Sequence, residues 1–156
     1  MSMTKKILIV EDCPDLLDLL GDALVLMGWE TVLADSDREA MRMLEDGLPD
    51  VILLDMRMAA MDGVELAVIL KSHPVYKNIP ILGVGDRSTE RVRKRCLALG
   101  CDDLIDDPIE LSELEMRLAK ILSAQRLKKI KSTGAFNVAS DRWQPTARRI
   151  GRRPIA

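Results

Sequence analysis

A chain of 156 residues, 47% hydrophobic and 31% charged, has the size and composition of one globular domain, which excludes a multidomain enzyme. Its longest apolar run, glycine and proline included, is seven residues, against the ~20 of a membrane span. The apolar stretch after Lys5 and Lys6 is too short for a secretory leader, so a cytoplasmic, non-membrane protein is expected. The net charge of -2 conceals an acidic body, residues 1–125, with 14 Lys/Arg against 24 Asp/Glu, and a basic extension, residues 126–156, with 9 against the single Asp141.

In chain order, short apolar runs alternate with amphipathic segments of helical length, the pattern of a parallel sheet covered by helices on both faces. Strands are predicted at Ile7–Val10, Thr31–Ala34, Val51–Leu54, Ile81–Val84 and Leu104–Ile105, the last being the weakest. Pro14 opens the first helix, whose apolar stripe is read as Leu16, Leu19, Leu20, Ala23, Leu24 and Met27, with Gly28 at the C-cap. Ser36 and Glu39 have the spacing of a capping box for a second helix ending before Gly47. A third helix is predicted over Val64–Lys71 and a fourth over Thr89–Leu99, closed by Gly100. Ser112 and Glu115 repeat the capping-box spacing ahead of a fifth, with Leu114, Leu118, Ile121 and Leu122 on one face. The result is a (βα)5 α/β fold. From Ser132 onward Phe136, Trp143, two prolines and five arginines occur without a sustained period, which predicts an extended arm.

Ligand chemistry in such sheets collects at the carboxyl ends of the strands. Here those ends carry Glu11-Asp12, Asp55, Gly85-Asp86 and Asp106-Asp107. Carboxylates gathered from several neighbouring strands are costly unless a cation joins them. Three cysteines, Cys13, Cys96 and Cys101, form no C-x-x-C pair and read as reduced, idle thiols. Gly83-Val84-Gly85 lacks the third glycine of a dinucleotide loop and follows the wrong strand. His73 reads as a surface residue, the nine methionines as core and loop filler, and Arg91, Arg93, Lys94 and Arg95 as a solvated face or a partner surface.

The runs ILIVEDCPDLLDLL, VILLDMRMAAMDGVEL and LGCDDLIDDPI, over about residues 4–124, resemble the receiver domain of two-component response regulators. An acidic pair ends the first strand, and the Asp ending the third is followed seven and eight residues later by Asp62-Gly63. The resemblance implies a flavodoxin-like three-layer sandwich with strand order 2-1-3-4-5 and divides the chain into a receiver domain, 1–125, and a basic extension, 126–156. It makes Asp55 the phosphoryl acceptor. Glu11, Asp12, Asp55 and the main-chain carbonyl of Arg57 would hold Mg2+ or Mn2+, which offsets the repulsion between a carboxylate nucleophile and an anionic donor. For Glu11, a charge at the N-terminus of the first helix and a role through metal-bound water both stand.

The departures from the family pattern are specific. Gly85 stands where the family carries a hydroxyl-bearing Thr or Ser, Leu104 replaces the switch aromatic, Asp107 replaces the Lys before Pro108, and Ala59 replaces a Pro. With Asp107 the pocket is expected to hold four carboxylates, and Arg57 or Arg87 is a candidate source of compensating charge. A cis Asp107-Pro108 bond is implied by the resemblance. The leading expectation is an atypical single-domain response regulator, non-enzymatic beyond phosphotransfer onto Asp55, with a sensor histidine kinase as donor. Its binding face, also a site for homodimer formation, would be the fourth helix, fifth strand and fifth helix. The alternatives are a phosphorylation-independent pseudo-receiver and, through the basic tail, a nucleic-acid-binding regulator. The opposite charges of tail and body favour docking of the tail on an acidic surface over nucleic acid.

Overall fold

Each short apolar strand is followed by a helix rather than by a tight turn, so sequential strands run the same way and pair in parallel. The computed structural model describes residues 4–58, 63–85 and 90–133. It contains β1 (Lys6–Val10), α1 (Pro14–Leu26), β2 (Glu30–Ala34), α2 (Asp37–Asp46), β3 (Val51–Asp55), α3 (Gly63–Ser72), a 3-10 turn (Tyr76–Asn78), β4 (Ile81–Gly85), α4 (Glu90–Ala98), β5 (Asp103–Asp106) and α5 (Leu111–Thr133). The strands lie in the order β2-β1-β3-β4-β5 and every pair is parallel. The flavodoxin-like arrangement is therefore present, each strand one or two residues longer than its apolar run.

The alternation of side chains along each strand divides the core in two. Leu8, Val10, Ile52, Leu54 and Ile81 pack with Ala40 and Leu44 of α2, Leu66 and Leu70 of α3 and Cys96 of α4. Ile7, Ile9, Leu53, Leu82, Val84 and Ile105 pack with Leu17, Leu20 and Leu24 of α1 and Leu114, Leu118 and Ile121 of α5. Both faces of the sheet are covered, and β3 and β4 are buried at every residue, as a central parallel sheet requires.

Three expectations are corrected. In α1, Leu19 is 64% exposed and Leu17 is buried in its stead. The helix has leucines on two overlapping stripes, and the stripe carrying Gly21 faces the sheet. A Cβ on Gly21 would lie 3.1 Å from Leu33 Cδ2, so the glycine lets α1 approach β2 closely. In α5 the N-terminal cap is Glu110, whose carboxylate accepts from the Glu113 N–H (3.1 Å) and from the Ser112 hydroxyl; Ser112 itself lies inside the first turn. The Ser36 cap of α2 is as expected, accepting from the Glu39 N–H at 3.1 Å.

The third correction concerns the basic extension. The chain divides into the compact units Met1–Leu122 and Ser123–Ala156, and α5 runs on through residues 126–133 of the basic extension, taking in Ser132 and Thr133, where the extended arm is expected to begin. Gln, Leu, Lys and Arg are good helix formers, and nothing before Thr133 breaks the run. Phe136 and Trp143 lie outside the described residues, as do Ala59, Asp62, Arg87 and Thr89. No helix among the described residues is long and apolar enough to cross a membrane.

Candidate functional site

The strand order reverses between β1 and β3, the position where a crevice opens at the carboxyl ends of an α/β sheet. Val10 pairs with Leu54, so the next residues, Glu11 and Asp55, leave the sheet side by side. The Glu11 N–H donates to the Ala34 carbonyl at 3.1 Å and the Met56 N–H to the Val84 carbonyl at 3.0 Å, which extends the backbone ladder past both acids. Glu11 and Asp55 are the two buried charged side chains among the described residues, at 4% and 7% exposure. One carboxylate oxygen from each of Glu11, Asp12 and Asp55 lies within 4.8 Å of the others, with Asp12 partly exposed at the rim.

Local hydrogen bonds orient this cluster. Glu11 Oε2 accepts from the Cys13 N–H at 3.0 Å, directly before α1, and Asp55 Oδ1 accepts from the Arg57 N–H at 2.9 Å. Glu11 thus satisfies a helix-entry N–H, the first of its two readings, and lies beside Asp55. Burial, opposed by the Cys13 N–H and reinforced by the Asp55 charge and by hydrogen bonds to Asp55 and Asp12, pushes the Glu11 carboxyl from 4.5 up to about 7. The all-oxygen donor set of these three acids suits a hard cation such as Mg2+ or Mn2+.

Gly63, the first residue of α3, sets how tightly that helix approaches the site. A Cβ there would stand 2.3 Å from the Asp55 carbonyl oxygen and 2.5 Å from Met56 Cα. Only glycine allows the helix N-terminus to rest on the backbone that carries Asp55.

Asp107 corrects the expected charge count. It is not part of the three-acid cluster: β4 lies between β3 and β5, and Asp107 is instead bound by Arg57, whose Nη2 donates to Asp107 Oδ2 at 2.8 Å. The same guanidinium places Nε 4.0 Å from Asp55 Oδ1. Of the two candidate sources of compensating charge, Arg57 is the one whose side chain is described, and the signal for it is the reversal of charge at Asp107, which calls for a base within reach.

Gly85 ends β4 and contributes no hydroxyl. Among the described residues, a Cβ at Gly85 would meet only Leu104 Cδ2, at 4.0 Å, whereas at Gly83 it would stand 2.7 Å from the same atom and 3.1 Å from Met56 Sδ. Gly83 is thus packed into the core and makes no phosphate loop, while Gly85 has no closer neighbour than Leu104 among the described residues. Leu104 is 4% exposed and folded over Gly83. From this contrast, Gly85→Ser is expected to change stability by less than about 1 kcal/mol and Gly83→Ala to cost about 1–3 kcal/mol by overpacking, as read by urea unfolding.

The remaining sequence features are structural. The Asp107-Pro108 bond is cis. His73 stacks on Tyr76 (ring centroids 4.1 Å apart) and its Nδ1 accepts from the N–H groups of Val75 and Tyr76, organising the turn after α3. Cys96 and Cys101 are buried, and burial pushes the Cys101 thiol up to about 12, so it stays protonated; Cys13 is exposed. Arg91, Lys94 and Arg95 are exposed on α4.

Comparison with known proteins agrees with this geometry. A family model described as the response regulator receiver domain matches residues 7–119. The phosphate regulon transcriptional regulatory protein PhoB of Pseudomonas aeruginosa is 34% identical over 118 residues, which are 76% of this chain and 52% of PhoB. The regulatory protein AtoC of Escherichia coli is 31% identical over 129 residues, 83% of this chain and 28% of AtoC. This chain thus spans about half or less of these two relatives. Among solved structures, the signal receiver domain of a signal transduction histidine kinase from Syntrophus aciditrophicus is 35% identical with a TM-score of 0.71, covering 78% of this chain and 92% of its own. A response regulator from Chloroflexus aurantiacus gives a TM-score of 0.73 at 28% identity, covering 78% and 99%.

Proposed function

Because the chain belongs to the response regulator receiver domain family, we propose that Asp55 accepts a phosphoryl group with a divalent cation beside it, and that the read-out of this event is weakened. Receiver domains are signalling modules that bind Mg2+ at an acidic pocket and interact with sensor kinases and other signalling proteins. The observation that carries the proposal is the buried Asp55 carboxylate within 4.8 Å of Glu11 and Asp12 at the strand-order reversal.

Glu11, Asp12 and Asp55, with the Arg57 carbonyl, are the residues that would hold Mg2+ or Mn2+; when bound, the cation neutralises charge on the incoming phosphoryl oxygens. The Arg57 N–H fixes the Asp55 carboxylate through Oδ1. An Asp55 oxygen then forms a bond to phosphorus while the bond from phosphorus to the donor's leaving atom breaks, that atom keeping the electron pair and taking up a proton. A histidine kinase is the donor class that the family supplies.

Two features support a weak read-out. Gly85 offers no hydroxyl to a phosphoryl oxygen, and Leu104, 4% exposed, packs over Gly83 where the family's switch aromatic would stand. A ligand that makes equal contacts in two conformations shifts neither. The test is incubation of the full chain with a small phosphodonor and Mg2+, followed by peptide mass spectrometry. Phosphate on Asp55, absent in Asp55→Asn, is the expected result, with Mg2+ affinity in calorimetry falling at least about tenfold in Asp12→Ala. Phosphate elsewhere, or none, contradicts the assignment.

A further inference from the structure

We infer that the Arg57 side chain, held from across β4 by Asp107, is the cationic ligand of the phosphoryl group on Asp55, in place of the lysine that the family carries where Asp107 stands. The inference rests on the acceptor reading of Asp55. Three geometric facts carry it. Arg57 Nη2 donates to Asp107 Oδ2 at 2.8 Å, Arg57 Nε lies 4.0 Å from Asp55 Oδ1, and among the described residues a Cβ on Gly85, at the end of the intervening strand, would meet only Leu104 Cδ2, at 4.0 Å.

The chemistry explains why an acid can occupy position 107. A phosphoryl group on Asp55 brings anionic oxygens into a cluster that already holds three carboxylates, so a fixed cation other than the metal is needed on the β5 side. Here that cation comes from β3. Asp107 is a positioning residue: it holds the guanidinium over the strand ends rather than leaving it to the solvent. An ion pair this exposed, with side chains 46% and 38% accessible, does little for stability. What it does is place a planar, five-donor group that matches tetrahedral oxyanions and stays charged at any working pH. Its distance from Asp55 leaves room for a phosphoryl oxygen to draw the guanidinium in.

The test uses the full chain with beryllofluoride and Mg2+, followed by fluorine NMR, with Mg2+ affinity measured separately by calorimetry and folding by thermal unfolding. Arg57→Gln should weaken beryllofluoride binding at least about tenfold while Mg2+ binding is kept or tightened, since removing a positive charge favours the cation. Arg57→Lys should retain part of the binding. The decisive variant is Arg57→Gln with Asp107→Lys, which returns a cation to the β5 side and should restore binding to near the unmodified level.

Binding unchanged by Arg57→Gln, or a loss that Asp107→Lys does not repair, would overturn the inference while Asp55 stands as acceptor. Binding that survives unaltered in Asp55→Asn would instead remove the acceptor reading, and the role of Arg57 with it.

Discussion

Replacing Gly63 by alanine is expected to destabilise the protein by about 3 kcal/mol or more and to abolish divalent-cation binding at the three-acid cluster. The added methyl would stand 2.3 Å from the Asp55 carbonyl oxygen and 2.5 Å from Met56 Cα, so the obstruction is backbone and no rotamer change relieves it. Either α3 lifts from the sheet, exposing Val64, Leu66 and Ala67, or the end of β3 moves and takes Asp55 away from Glu11 and Asp12. Urea unfolding and Mg2+ calorimetry on one preparation read both losses. Wild-type stability with intact cation binding would show that the contact of α3 with Asp55 is not needed.

The second large effect is a pH dependence that Mg2+ should reverse. The Glu11 carboxyl is raised from 4.5 to about 7, chiefly by burial. A raised folded-state pKa means that the native protein holds the proton more tightly than the unfolded chain. The associated stability is complete below about pH 4.5 and is lost as pH rises through about 7. The interval corresponds to up to about 3 kcal/mol. In metal-free buffer the protein should therefore be less stable at about pH 8 than at about pH 5. Glu11→Gln, which keeps an acceptor for the Cys13 N–H, should flatten that slope. With millimolar Mg2+ the carboxylate form is favoured instead, and stability at the higher pH should recover. A slope unchanged by Glu11→Gln would assign it to other groups.

Much of this molecule is legible in its sequence because one signal governs it. Strands buried on both faces must be continuously apolar, so Ile7–Val10 and Val51–Leu54 stand out, and the acids that end them are placed by the backbone ladder alone. The three-acid site follows from strand order. The errors arise where side chains choose between equivalent arrangements. In α1, leucines on two overlapping stripes make the buried face ambiguous until Gly21 is seen to permit close approach to β2. At α5, Ser112 has the right spacing for a cap, yet Glu110, with a longer reach, takes the Glu113 N–H. Asp107 is the most instructive case: position along the chain places it at a strand end, but only the fold shows Arg57 spanning from β3 to bind it. The continuation of α5 to Thr133 is written in helix-forming residues, and it ends two residues into the segment whose lack of a sustained period suggests an arm.

The proposed combination of an acceptor at Asp55 with a muted switch is open to one direct measurement: amide hydrogen exchange of the full chain with and without Mg2+ and beryllofluoride. The expected result is modification that depends on Asp55, with added protection confined to the ends of β1, β3 and β4 and exchange across α4, β5 and α5 unchanged. On the proposed reading, Gly85, which lacks a hydroxyl, and the buried Leu104 do not relay the change to those elements. Protection or exposure spreading over α4 and α5 in the modified protein would contradict this, and would mean that the domain switches by a route that does not require a hydroxyl at position 85 or an aromatic at position 104.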